Sequence, residues 1–113
     1  MENKKEEHIV GKSGDYTAKA TIGETWEKTA VTGGVSVKGS ATLVDDTPDG
    51  SYDIKIKTNC DSYNHTYTAN KGESFDFKKI TTNFWDSTDV KITVTGNDGQ
   101  SGDWKLVVNY STC

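Results

Sequence analysis

Between Val90 and Tyr110 apolar and polar positions alternate in two runs. Val90, Ile92 and Val94 alternate with Lys91, Thr93 and Thr95; Trp104, Leu106, Val108 and Tyr110 alternate with Lys105, Val107 and Asn109. A period of two sends alternate side chains to opposite faces of a sheet. The Gly96-Asn97-Asp98-Gly99-Gln100-Ser101-Gly102 stretch between the two runs is turn chemistry throughout. The pattern predicts two strands with one buried face each, joined as a β-hairpin.

The same period recurs upstream. Tyr16, Ala18, Ala20 and Ile22 give one strand, and Glu24 to Thr32, with Trp26 and Ala30 on one parity, gives a weaker one. Val35, Val37, Ala41 and Leu43 give a third, with Gly39 in its middle where a bulge or a close backbone approach is expected. Asp45-Asp46-Thr47-Pro48-Asp49-Gly50 is the strongest turn. Tyr52, Ile54, Ile56, Thr58 and Cys60 form a fourth strand, Tyr63 to Ala69 a fifth, and Phe75 with Phe77 a sixth; Ile80 to Asp89 is irregular. About eight short strands at this spacing predict an all-β fold: a single-domain antiparallel β-sandwich, Ig-like or jelly-roll-like, built from consecutive hairpins. Residues 1–14 are polar apart from Ile9-Val10 and are expected to be a flexible leader, with the sandwich over 15–113.

Composition supports a sheet. There are 16 Thr, nine Val and five Tyr but two Leu and one Pro, and β-branched and aromatic residues suit a pleated surface. Leu, Ile, Val and Phe together are scarce, but a net charge of only -4 argues against a disordered chain. All 13 basic residues are Lys, and the pI is about 5.1. Without the Arg fork and without basic excess, no nucleic-acid partner is expected. No run approaches the length of a membrane span, so membrane contact is expected only through a lipid anchor or exposed aromatics. No signal peptide is present. The polar leader and the paired cysteine count predict a secreted or cell-surface protein in a mature form that has lost its signal.

Cys60 and Cys113 are expected to form a disulfide. Closing a loop of roughly 50 residues stabilises a fold by roughly 4 kcal/mol in the entropic model. The pair would also staple the last strand.

Candidate chemistry is sparse. No nucleophile elbow, CxxC or HExxH occurs, and neither His8 nor His65 has a motif around it, so no catalytic residue, metal ligand or cofactor is assigned. Asp45, Asp46, Asp49 and Asp53, and separately Asn97, Asp98 and Asp103, cluster at turns without EF-hand spacing, and Asp and Asn favour turns on their own account. The sequons at Asn64 and Asn109 are attributed to composition. Trp85 lies between Cys60 and Cys113, as a Trp lies between the cysteines of immunoglobulin domains; Cys113 is terminal and Ser111 replaces the expected Tyr, so no family is assigned.

The aromatics are the functional lead. Trp26, Tyr63, Tyr67, Phe84 and Trp85 are the candidate ligand-binding residues, because rings on a flat sheet stack on sugars or anchor a protein. The competing role for Trp26, Phe84 and Trp85 is to fill the ends of the core. The expected function is an exported, non-catalytic binding module for a protein or carbohydrate partner. A membrane-active or toxin-like sandwich is the alternative, weakened by the lack of a basic patch, and a small hydrolytic enzyme comes third.

Overall fold

The period-two segments form two sheets that press their apolar parities together. The computed structural model describes residues 7–9, 14–31, 36–60, 62–82 and 88–112. Its strands are β1 (Glu7–Ile9), β2 (Gly14–Thr21), β3 (Thr25–Val31), β4 (Ser36–Leu43), β5 (Ser51–Thr58), β6 (Asn64–Asn70), β7 (Ser74–Thr81), β8 (Thr88–Gly96) and β9 (Asp103–Thr112). One sheet has the order β1-β3-β8-β5-β6 and the other β2-β9-β4-β7. All pairings are antiparallel except β1 with β3. Among the described residues no helix is long and apolar enough to cross a membrane.

The β-sandwich expected from the alternation is the observed architecture. Ile54, Leu106 and Trp104 are fully buried, as are Val94 and Tyr52, and Ile92 is 1% exposed. Burying an aliphatic side chain of this size contributes roughly 1.5–3 kcal/mol, so the inward parities of β5, β8 and β9 supply the centre of the core. Within the stretch read as leader, Glu7–Ile9 adds a short strand beside β3, with Glu7 opposite Thr29.

The pairing of Val90–Tyr110 differs from the expected hairpin. β8 bonds to β3 and β5, whereas β9 bonds to β2 and β4. The segment 97–102 therefore carries the chain from one sheet to the other. Alternation identifies a buried face but not the layer that supplies it, and a loop of this length spans the roughly 10 Å between stacked sheets. The expectation of consecutive hairpins fails for the same reason: among the described residues, β5 and β6 make the one hairpin.

Beyond β1, the sheet orders 3-8-5-6 and 2-9-4-7 match position by position. Each strand stands over the one that adjoins it in sequence: β3 with β2, β8 with β9, β5 with β4 and β6 with β7. This is jelly-roll topology, distinct from the ABED over CFG order of the immunoglobulin sandwich. The four crossings, 22–24, 44–50, 71–73 and 97–102, share one end of the sandwich and are tied together by backbone hydrogen bonds. Ile22 N–H donates to the Gly102 carbonyl at 2.8 Å, Gly72 N–H to Leu43 at 2.8 Å and Asn97 N–H to Ser51 at 2.9 Å.

Gly39 meets both expectations placed on it. The β4–β7 register slips between Val37 and Gly39, so that Val37 faces Ile80 and Gly39 faces Phe77. The extra β7 residue lies in Lys78-Lys79, which explains why Phe77 and Ile80, three apart, both point inward. On its other side Gly39 lies so close to β9 that a Cβ would collide with the Asn109 carbonyl.

Candidate functional site

The open side of the sandwich where β6 lies over β7 is closed by aromatic rings. Tyr63, just before β6, and His65 and Tyr67, within it, share the core-facing parity, and Phe75 rises from β7 to meet them. Tyr67 and Phe75 stack at 5.0 Å between centroids with an interplanar angle of 23°. His65 packs edge-on against Tyr63 at 4.6 Å and lies 6.4 Å from Tyr67. Tyr63 is buried, whereas His65, Tyr67 and Phe75 are half-buried.

Hydrogen bonds fix these rings. The Tyr63 and Tyr67 hydroxyl oxygens are 3.0 Å apart. Tyr63 donates to the Lys78 carbonyl at 2.9 Å, and Tyr67 accepts from Lys78 N–H at 2.8 Å. Tyr67 is left to donate to Tyr63, which completes a closed circuit of donors. Burial, then the hydrogen bond and the charge of Tyr67, holds the Tyr63 phenol well above its ordinary pKa.

Trp26 lies on the opposite side of the sandwich. It is 7% exposed, part of the core, and stacks on Tyr16 at 5.5 Å and 16°. The predicted aromatics are thus divided: Tyr63 and Tyr67 come together at the β6–β7 side, and Trp26 faces the interior at the β2–β3 side. Phe84 and Trp85 lie outside the described residues, as does Cys113. Cys60 is buried, its N–H donating to the Thr58 hydroxyl at 3.2 Å.

Beside Trp26 lies a residue that the sequence reading passed over. Lys28 is 8% exposed, and its ammonium sits 5.0 Å from the Tyr16 ring centre and 5.9 Å from that of Trp26. Burial, with Tyr110 second, raises the Tyr16 phenol well above its ordinary pKa. Lys28 borders a cavity of about 40 Å³ between the sheets, whose walls include Ile56, Phe77, Val90 and Val108. That volume is too small for an organic ligand. The signal for Lys28 was its parity: it lies two residues after the buried Trp26, but a charged residue is normally taken as outward.

The acidic turns serve the crossings. Asp98 accepts Ser51 N–H at 2.9 Å, Asp53 accepts Asn97 Nδ2 at 3.1 Å and the Thr68 hydroxyl at 2.9 Å, and Lys71 lies 3.6 Å from Asp45 and 3.5 Å from Asp49. Among the described residues no three His, Cys, Asp or Glu side chains form a group that could hold a metal ion. Of the two sequons, Asn64 begins β6 and Asn109 lies in β9, both exposed.

No protein-family model matches the chain, and no curated protein is similar to it.

Proposed function

We propose that the chain is an exported, non-catalytic binding module whose contact surface is the aromatic β6–β7 side. The observation that carries this reading is the half-buried Tyr67–Phe75 stack, held in place by the Tyr63–Tyr67–Lys78 hydrogen bonds. Rigid rings offer contact area at little cost in conformational entropy. Protein is favoured over glycan as the partner. Tyr67 and Phe75 each already use one ring face on the other, and they lie on edge strands, whose backbone another chain can read. The Cys60–Cys113 disulfide belongs to the exported reading, and titration of thiols in the native protein tests it: two reactive thiols overturn it.

The immobilised full chain is screened against a peptide display library and a glycan array. The reading expects retention of extended peptides with alternating apolar residues, and at least a tenfold loss with Tyr67→Ala. Equal retention by Tyr67→Ala, or binding confined to glycans, overturns it.

A further inference from the structure

We infer that the partner at this side is a second copy of the chain, joined antiparallel along β6 about Thr66. The inference rests on the reading of the β6–β7 side as the contact surface.

The β5–β6 ladder decides which backbone groups of β6 face outward. Thr58 N–H donates to the Tyr63 carbonyl at 3.1 Å, and Lys71 N–H to the Gly50 carbonyl at 3.0 Å. With Ser51 opposite Asn70 and Lys57 opposite Asn64, the hydrogen-bonded positions of the β5–β6 ladder fall at Tyr63, His65, Tyr67, Ala69 and Lys71. Asn64, Thr66, Thr68 and Asn70 therefore turn N–H and C=O away from β5. Asn70 is already served by the turn: its N–H donates to the Glu73 carboxylate at 2.9 Å, and its carbonyl accepts Glu73 N–H at 3.0 Å. The edge open to another strand is Asn64, Thr66 and Thr68.

This edge lacks the protection that the other edges carry. β2 exposes Asp15 and Lys19, and β7 exposes Asp76, Lys78 and Lys79 and is bulged. β1 has three residues. The sequence of β6, NHTYTAN, contains no Lys, Asp, Glu or Pro. Charges, bulges and short length are the usual guards against strand addition.

The three open residues are self-complementary. An antiparallel copy centred on Thr66 sets Asn64 against Thr68 of the second copy, Thr66 against Thr66 and Thr68 against Asn64, each pair exchanging two hydrogen bonds. Between them His65 falls opposite Tyr67 of the second copy, so the two aromatic clusters meet. The ends of the strand differ in charge: Lys57 flanks Asn64, while Asp53 flanks Thr68 and Glu73 caps Asn70. Antiparallel association brings the basic end of one copy beside the acidic end of the other.

The test uses sedimentation of the full chain from micromolar to millimolar concentration. Thr66 is exposed, so Thr66→Lys and Thr66→Asp leave the folded monomer intact, with unfolding midpoints near wild type as the control. The wild type is expected to form a concentration-dependent dimer. Each variant alone sets like charges against each other at the twofold axis and is expected to weaken the dimer at least tenfold, and an equimolar mixture of the two is expected to restore it. A wild type that stays monomeric throughout, or a mixture no tighter than either variant alone, overturns the self-association. The peptide screen decides the parent reading separately: a monomer that still retains peptides through Tyr67 refutes only the second copy, and a monomer that retains none refutes both.

Discussion

Tyr63 and Tyr67 hold both backbone polar groups of Lys78, one hydroxyl donating to its carbonyl and the other accepting from its N–H. Lys78 lies in the β7 bulge, where neither it nor Lys79 has a Cα partner on β4. The bulge takes a stretch of β7 out of its ladder, and Tyr63 and Tyr67 bond there. The edges of the two sheets are thereby tied by hydrogen bonds as well as by ring packing.

Removing either hydroxyl therefore affects both sheets. Tyr63→Phe and Tyr67→Phe are each expected to cost about 1–2 kcal/mol in urea unfolding. The double variant is expected to cost less than the sum, because the second loss falls on a circuit already broken. Strict additivity would show that the two hydroxyls act independently.

The same burial gives an alkaline limit. The phenols of Tyr16 and Tyr63 are raised above the ordinary value of 10.0, Tyr16 by burial and then Tyr110, and Tyr63 by burial and then Tyr67. The folded chain thus keeps protons that the unfolded chain releases. Stability should be level below about pH 10 and fall above it by up to about 1.4 kcal/mol per pH unit for each phenol. Urea midpoints measured between about pH 8 and pH 11 check this, and Tyr63→Phe should reduce the slope. A midpoint that stays level through this range contradicts the assignment.

Much of this layout is legible in the sequence, and the part that is not has a definite cause. Ile54, Ile92 and Leu106 are buried where parity places them, because the pleat ties side-chain direction to position in the strand. The layer to which each strand belongs is not encoded in that way. Val94 and Trp104 face the same core from opposite sheets, and a Gly/Asn/Asp loop serves an inter-sheet crossing as well as a hairpin. Tyr63, His65 and Tyr67 were legible as a shared face. Their meeting with Phe75 depends on β6 lying over β7, a relation that exists only in three dimensions.

Lys28 tests how far the interior tolerates a charge. Its stem fills space beside the small cavity, and its ammonium rests on Tyr16 and Trp26. Lys28→Met keeps the stem and loses the cation–π contact, for an expected cost of about 1–2 kcal/mol. Lys28→Ala also enlarges the cavity and is expected to cost about 2–4 kcal/mol. Chemical denaturation should rank the proteins wild type, Met, Ala; a Met variant as unstable as the Ala variant would assign the effect to the charge alone.

Gly39 should be the least replaceable residue in β4. A methyl group there would sit within bonding range of the Asn109 carbonyl and press on the Tyr110 backbone, and both belong to the strand with which Gly39 pairs. A side chain can rotate away from an added atom, but a ladder backbone cannot without moving β4 and β9 apart. The strands would have to separate beside Val37 and Ala41, which are 3% and 0% exposed and pack the core. Overpacking of this kind costs typically about 1–3 kcal/mol and more where the neighbour is rigid, so Gly39→Ala is expected at or above about 3 kcal/mol. Gly72→Ala is the comparison: nothing lies within 4 Å of its added Cβ, but its φ of 90° strains any side chain. That strain is worth about 1–2 kcal/mol, so the two alanine variants separate steric collision from backbone conformation. If Gly39→Ala unfolds at a higher urea concentration than Gly72→Ala, the close approach of β4 to β9 is not what fixes glycine at this position.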